Sequence, residues 1–178
     1  MKELDEPIHL CSYDEQWPKL YTLEAQRMAE ELPADVVIEH IGSTAVPGLL
    51  AKPIIDMMIG MEPHHNHQRV RSVLVTIGYE DMGEAGVPGR VYFRRRATAA
   101  FNAALVVHGG CLWVANLALR DFLRENPDAA REYADSKRSA FESGIRTLLA
   151  YSEYKSAVVT GLIRRALGTG VPYESDEK

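Results

Sequence analysis

The run Pro53-Ile54-Ile55-Asp56-Met57-Met58-Ile59-Gly60 constrains the chain most. It is apolar at odd and even positions alike and bounded by proline and glycine, so it reads as a strand buried on both faces. Asp56 is its only acid, and a charge in such surroundings needs a partner. About a dozen positions upstream, Gly42-Ser43-Thr44 forms a small-residue turn. Glycine lets a backbone approach a ligand closely, and the two hydroxyl residues supply side-chain and N–H groups for anionic oxygens. Together these features suit phosphate and metal chemistry, with Asp56 as a metal or substrate ligand at the strand's exit. The competing reading is a structural aspartate that caps a neighbouring turn.

Elsewhere the hydrophobic spacing predicts a short edge strand at Ile8-His9-Leu10 and a helix over residues 14–32. That helix carries Trp17, Leu20, Tyr21, Ala25, Met28 and Leu32 on one stripe and Pro18 in its first turn. Strands follow at residues 36–41 and 54–59, then a helix over 68–77 ended by Gly78. Residues 90–96 and 101–107 read as a hairpin in which Arg90, Tyr92, Arg94 and Arg96 share one face. This row is either a solvated edge kept soluble by charge or a set of forked donors for phosphate oxygens. Beyond Gly109-Gly110 the pattern is helical: residues 112–125, then a helix capped by Asn126 with Pro127 at its first position, then residues 151–167 ended by Gly168. The expected architecture is α+β, a mixed sheet followed by a helical bundle.

The 178 residues, 46% hydrophobic and 25% charged without a long polar tract, fit one domain over residues 1–170 with a mobile tail at 171–178. A net charge of −5 lacks the general basicity that draws proteins onto nucleic acid, so any anion site has to be local. No apolar run approaches the roughly 20 residues that span a bilayer. The acidic opening MKELDEP does not suit a signal peptide, and a soluble cytoplasmic protein is expected. Cys11 and Cys111 are too few and too far apart for a disulfide framework and are expected as buried thiols. His64, His65 and His67 crowd one loop without zinc-like spacing. There is no G-x-x-x-x-G-K-[ST], no G-x-S-x-G and no G-x-G-x-x-G.

The stretch EHIGSTAVPGLLAKPIIDMMI resembles the signature of the GrpB family, also called UPF0157. The resemblance extends to Tyr13-Asp14-Glu15-Gln16-Trp17-Pro18, to residues 83–90, to residues 117–123, and to Glu132-Tyr133 followed by Lys137. This family's fold is similar to that of the DNA polymerase β-like nucleotidyltransferases, and its members are also found beside dephospho-CoA kinase. In that superfamily a Gly-Ser turn holds the triphosphate, and a strand bearing two acids, one residue apart, binds Mg²⁺. Gly42 and Ser43 match the turn and Asp56 matches the first acid, while Met58 stands where the second would be. A thioether does not hold a hard cation that takes oxygen ligands. Relatives often carry His-x-His in the strand matching residues 101–107, where this chain has Asn102 and Ala104.

The resemblance implies a protein that binds a nucleoside triphosphate with Mg²⁺ and transfers a nucleotidyl group to a small-molecule acceptor. The alternative is a nucleotide- or phosphate-binding module that has lost turnover. Gly42, Ser43 and Thr44 would hold phosphates, Asp56 the metal, and Arg90, Arg94, Lys137 and Lys155 would balance charge, with Lys52 a further candidate. Lys137 and Lys155 each interrupt an inward helical stripe, so they either snorkel to water or reach across a cleft to phosphates. Glu84, in a glycine-rich loop leading to Arg90, is a candidate for the missing second acid, or else one partner of a surface ion pair. No motif specifies the acceptor, the base or the oligomeric state.

Overall fold

In the computed structural model, which describes residues 4–63 and 66–168, five strands form one mixed sheet flanked by six α-helices. The strands are β1 (Val37–Ile41), β2 (Ile54–Met61), β3 (Glu80–Asp81), β4 (Val91–Arg96) and β5 (Ala100–Val107), in the order β1-β2-β5-β4-β3. The strand predicted to be buried on both sides is interior: β2 lies between β1, antiparallel, and β5, parallel. The remaining pairings, β4 with β5 and β3 with β4, are antiparallel.

Alternation along β2 divides its side chains between two cores. Ile55, Met57, Ile59 and Met61 join Phe93, Phe101 and Leu105 beneath α1 (Trp17–Ala29) and α2 (His67–Thr76), where Trp17, Met28, Val70 and Leu74 complete the cluster. On the other face Met58 packs with Ile41, Ala104, Val106 and Trp113 of α3 (Cys111–Glu125). Gly60 makes this approach possible, since a Cβ there would stand 2.5 Å from the Trp113 ring. The expected α+β order, sheet first and helices after, is therefore the one that forms. Its helical part consists of α3, α4 (Pro127–Glu142), α5 (Leu148–Tyr154) and α6 (Ser156–Leu167).

Several local expectations are corrected. Residues 8–10 form no strand; the segment instead makes two single bridges, Pro7 to Thr147 and Cys11 to Ala51, which tie it to the helical part and to the approach to β2. The predicted last helix is two, because the chain turns at Lys155 (φ −88°, ψ −1°) between α5 and α6. Asn126 does not cap α4 with its side chain; its amide donates to the Phe122 carbonyl and closes the end of α3. Cys11 is half-buried and Cys111 exposed, both unpaired. Strand β3, two residues long, carried no sequence signal. Among the described residues no helix is long and apolar enough to cross a membrane. His64, His65 and the tail at 171–178 lie outside the described residues.

Candidate functional site

The turn after β1 is built around one close approach. Gly42 adopts φ 70° and ψ −168°, a conformation essentially restricted to glycine. A Cβ at this position would lie 2.9 Å from Asp56 Oδ2 and 3.1 Å from Asp56 Cβ. Residues Ser43–Ala45 then form a single 3₁₀ turn against β2. Asp56 is the third residue of β2, so it sits at the strand's entry rather than at its exit, directly across from Ile41 on one side and Asn102 on the other.

Asp56 has its partner. Lys52 Nζ donates to both carboxylate oxygens at 3.1 Å, and Asn102 Nδ2 donates to Oδ1 at 2.6 Å. Asn102 is itself fixed, because Arg96 donates to its Oδ1 at 2.9 Å while pairing with Glu6. Burial works to raise the Asp56 carboxyl, yet the Lys52 charge, the hydrogen bonds from Asn102 and Lys52, and the more distant Lys155 charge together hold it below the usual carboxylate range. The side chain keeps 26% of its surface exposed, so an ionised group forms the floor of a cleft of about 410 Å³.

One wall of this cleft is the Gly42-Ser43-Thr44 turn, with Lys52; Arg90 comes from the loop just before β4, Tyr92 from β4, Arg120 from α3, and Lys155 from the α5–α6 junction. Lys137 lies behind the turn, fully buried, where it donates to Ser43 Oγ and to the Leu50 carbonyl, both at 2.6 Å, with Nζ 4.0 Å from the Tyr133 ring centre. Burial first, then repulsion from Lys155 and Lys52, pushes its ammonium well below the usual lysine range, against a smaller pull from Asp56. Lys155 donates to the Tyr133 hydroxyl at 3.2 Å and lies 4.5 Å from the Tyr151 ring centre.

The structure thus gathers seven of the predicted residues around one hollow: Gly42, Ser43, Thr44, Lys52, Asp56, Arg90 and Lys155. Lys137 reaches the hollow only through Ser43, neither snorkelling to water nor extending across the cleft. Thr44 turns its hydroxyl inward to share a 2.9 Å hydrogen bond with His40 Nε2. Arg94 is not part of the wall, because its guanidinium pairs with Glu80 across the β3–β4 ladder. Glu84 is exposed in its own loop, accepting from the Gly89 N–H at 3.3 Å. It therefore does not supply a second acid to the cleft. Its loop serves Arg90 instead, since the Glu84 and Ala85 carbonyls accept from that guanidinium.

Sequence reasoning did not select Asn102, Arg96 or Arg120. Asn102 had a signal: it is the lone polar residue of an apolar strand, as Asp56 is of its own, and the parallel register sets the two side by side. Arg120 pairs with Glu39 and Asp121 and donates to the His40 carbonyl, fixing α3 to β1 at the cleft's edge. His40 is 6% exposed and stacked on Tyr21, and burial, reinforced by Arg124 and Arg120 and opposed by Asp56, lowers its pKa to about 4.

Mg²⁺, the cation implied by the resemblance, takes oxygen ligands in near-octahedral geometry. Among the described residues Asp56 is the only carboxylate of the cleft wall, and Lys52 already occupies both of its oxygens. Met58, 2% exposed, packs against Trp113 and its neighbours, and Asn102 turns its NH₂ rather than its oxygen toward Asp56. Among the described residues no three His, Cys, Asp or Glu side chains converge on one point. These donors do not fit a resident Mg²⁺.

The family model described as GrpB protein matches residues 7–165 of the chain. A UPF0157 protein of Pseudomonas aeruginosa is 36% identical over 169 residues, which cover 92% of this chain and 69% of that protein. The crystal structure of the conserved protein GrpB from Enterococcus faecalis aligns with TM-score 0.78 and 31% identity over 89% of this chain and 97% of the other. A looser likeness, TM-score 0.45 and 14% identity over 72% of this chain and 45% of the other, is to the Cid1 poly(U) polymerase.

Proposed function

The chain belongs to the GrpB family, and on that footing we propose that its cleft binds the triphosphate of a nucleoside triphosphate, as the resemblance to nucleotidyltransferases implies. One observation carries the reading. Among the described residues, Arg90 and Lys155 have no carboxylate within ion-pair distance, yet both line the hollow that holds the Gly42-Ser43 turn. Two cations without acidic partners on one concave surface create a local positive field in a molecule of net charge −5. Ser43, oriented by the Lys137 hydrogen bond, presents a hydroxyl whose position is fixed before a ligand arrives.

Titration calorimetry with ATP, CTP, GTP and UTP tests this. Each charge-assisted hydrogen bond to a phosphate contributes about 1.5–3 kcal/mol, so Arg90→Met and Lys155→Met should each weaken binding about 10- to 150-fold with unchanged circular dichroism. Absence of binding by all four nucleotides, or binding indifferent to both substitutions, would refute the proposal.

Nucleotidyl transfer to a small acceptor is the second reading, favoured by the remaining wall. Asn116, Ser152, Ser156 and Thr160 line the same cleft with neutral hydrogen-bonding groups, suited to an uncharged polar acceptor. In such a transfer an acceptor oxygen bonds to the α-phosphorus as the bond to the bridging oxygen breaks, and pyrophosphate leaves while the acceptor's proton passes to water. Pyrophosphate release from ATP with hydroxyl-bearing small molecules, lost in Lys155→Met, supports transfer. No release across such a panel, with nucleotide binding intact, leaves binding alone as the function.

A further inference from the structure

We propose that the anion site works without a divalent metal, with Lys52 acting as the resident cation on Asp56. Asp56 faces the cleft with 26% of its side chain exposed, but both of its oxygens already hold hydrogen-bond donors. Its Oδ1 receives Lys52 and Asn102, its Oδ2 receives Lys52, and the Gly42 backbone closes over Oδ2 so tightly that even a methyl group would not fit. Asn102 is not free to turn its oxygen toward a metal, because that oxygen already accepts from Arg96. Both oxygens of this floor and the neighbouring amide oxygen therefore already accept from hydrogen-bond donors, and these donors repel a cation.

Lys52 is also suited to a positive task. Its ammonium has three N–H groups, and Asp56 takes two of them, leaving one for a ligand oxygen at a side chain that lines the cleft and keeps 12% of its surface exposed. The cation that a metal-dependent site recruits from solution is here covalently part of the chain, four residues before the acid it neutralises. This inference rests on the triphosphate reading for its ligand, but the metal exclusion stands on the Asp56 geometry alone.

The experiment has two arms. In the first, ATP and inorganic tripolyphosphate are titrated into wild-type protein in EDTA and again in excess Mg²⁺. Affinity in EDTA equal to or tighter than in Mg²⁺ is expected, and Lys52→Met should weaken the EDTA value about 10- to 150-fold, the loss of one charge-assisted contact. Binding that requires Mg²⁺ would overturn the inference while leaving the triphosphate reading intact. In the second arm, Mn²⁺ is titrated without nucleotide and followed by electron paramagnetic resonance. Wild type should show no site that Asp56→Asn abolishes, because the carboxylate already holds Lys52 and Asn102 and has no further acid beside it among the described residues. A wild-type Mn²⁺ site lost in Asp56→Asn would overturn the inference whatever the nucleotides do. If nucleotides fail in both buffers while the Mn²⁺ results hold, the triphosphate reading falls and the metal exclusion remains.

Discussion

Gly42→Ala probes the contact on which the whole cleft is organised. Two costs arise at this position. The backbone conformation, φ 70° and ψ −168°, is one that side chains reach at about 1–3 kcal/mol. The added Cβ would then meet Asp56 Oδ2 at 2.9 Å and Asp56 Cβ at 3.1 Å. Neither atom is the far end of a flexible chain, because the carboxylate is pinned by Lys52 and Asn102, so relieving the overlap should cost a further ~1–3 kcal/mol. Gly48→Ala is the matched control: its φ of 76° carries strain, but nothing lies within 4 Å of its Cβ position. For a chain of this size 1 kcal/mol moves Tm by about 2–4 °C. Gly42→Ala should therefore lower Tm by roughly 4–24 °C, and by at least about 2 °C more than Gly48→Ala. Scanning calorimetry with urea unfolding measures both variants, with m-values compared to confirm that the folded states are equally compact. Equal losses in the two variants would show that the Gly42 backbone does not press on Asp56 and would remove the structural basis of the turn.

Three further outcomes follow from the same geometry. His40 stays neutral in the folded protein to about pH 4, whereas the unfolded side chain takes a proton near 6.5, so stability is lost as pH falls through that window, by up to about 3 kcal/mol; urea midpoints of His40→Gln should be flatter over that range, and an equal slope contradicts the assignment. Lys137, lowered well below 10.5 by burial, makes the unfolded chain bind more protons than the folded one, so wild-type stability should rise as pH climbs toward 10.5. Lys137→Met should lack this rise, and an identical pH profile would mean that the buried amine remains charged. Gly60→Ala, which would place a methyl 2.5 Å from the Trp113 ring, should cost about 1–3 kcal/mol and change Trp fluorescence; an unaltered spectrum would refute the packing of α3 on β2.

The parts of the fold that were legible are those governed by short-range pattern. The β2 run announced its double burial, and Gly78 and Gly168 ended helices with φ of 94° and 75°, whereas Gly42, read as allowing a backbone to approach a ligand, brings the backbone against Asp56. What stayed hidden depends on pairing across long stretches of chain. Asn102 lies 46 residues from Asp56, and no local pattern says that β5 runs parallel to β2 in the register that joins them. Lys137 looked like a residue interrupting an apolar stripe, and its partner Ser43, 94 residues away, explains why the stripe tolerates it. Arg94 and Arg96 share a strand face, yet Glu80 captures one and Asn102 with Glu6 the other. Alternation gives the face, while the partner decides the role. The turn at Lys155 is of the same kind: residues 151–167 have a continuous helical pattern, and the break aligns an ammonium with Tyr133 of α4.

A crystal of the wild-type protein soaked with a non-hydrolysable ATP analogue in EDTA tests the central claim most directly. Density for the phosphates is expected in the hollow between Ser43, Lys52, Arg90 and Lys155, with Asp56 still bound to Lys52. Phosphates located on another surface, or a cleft left empty at saturating analogue, would contradict it.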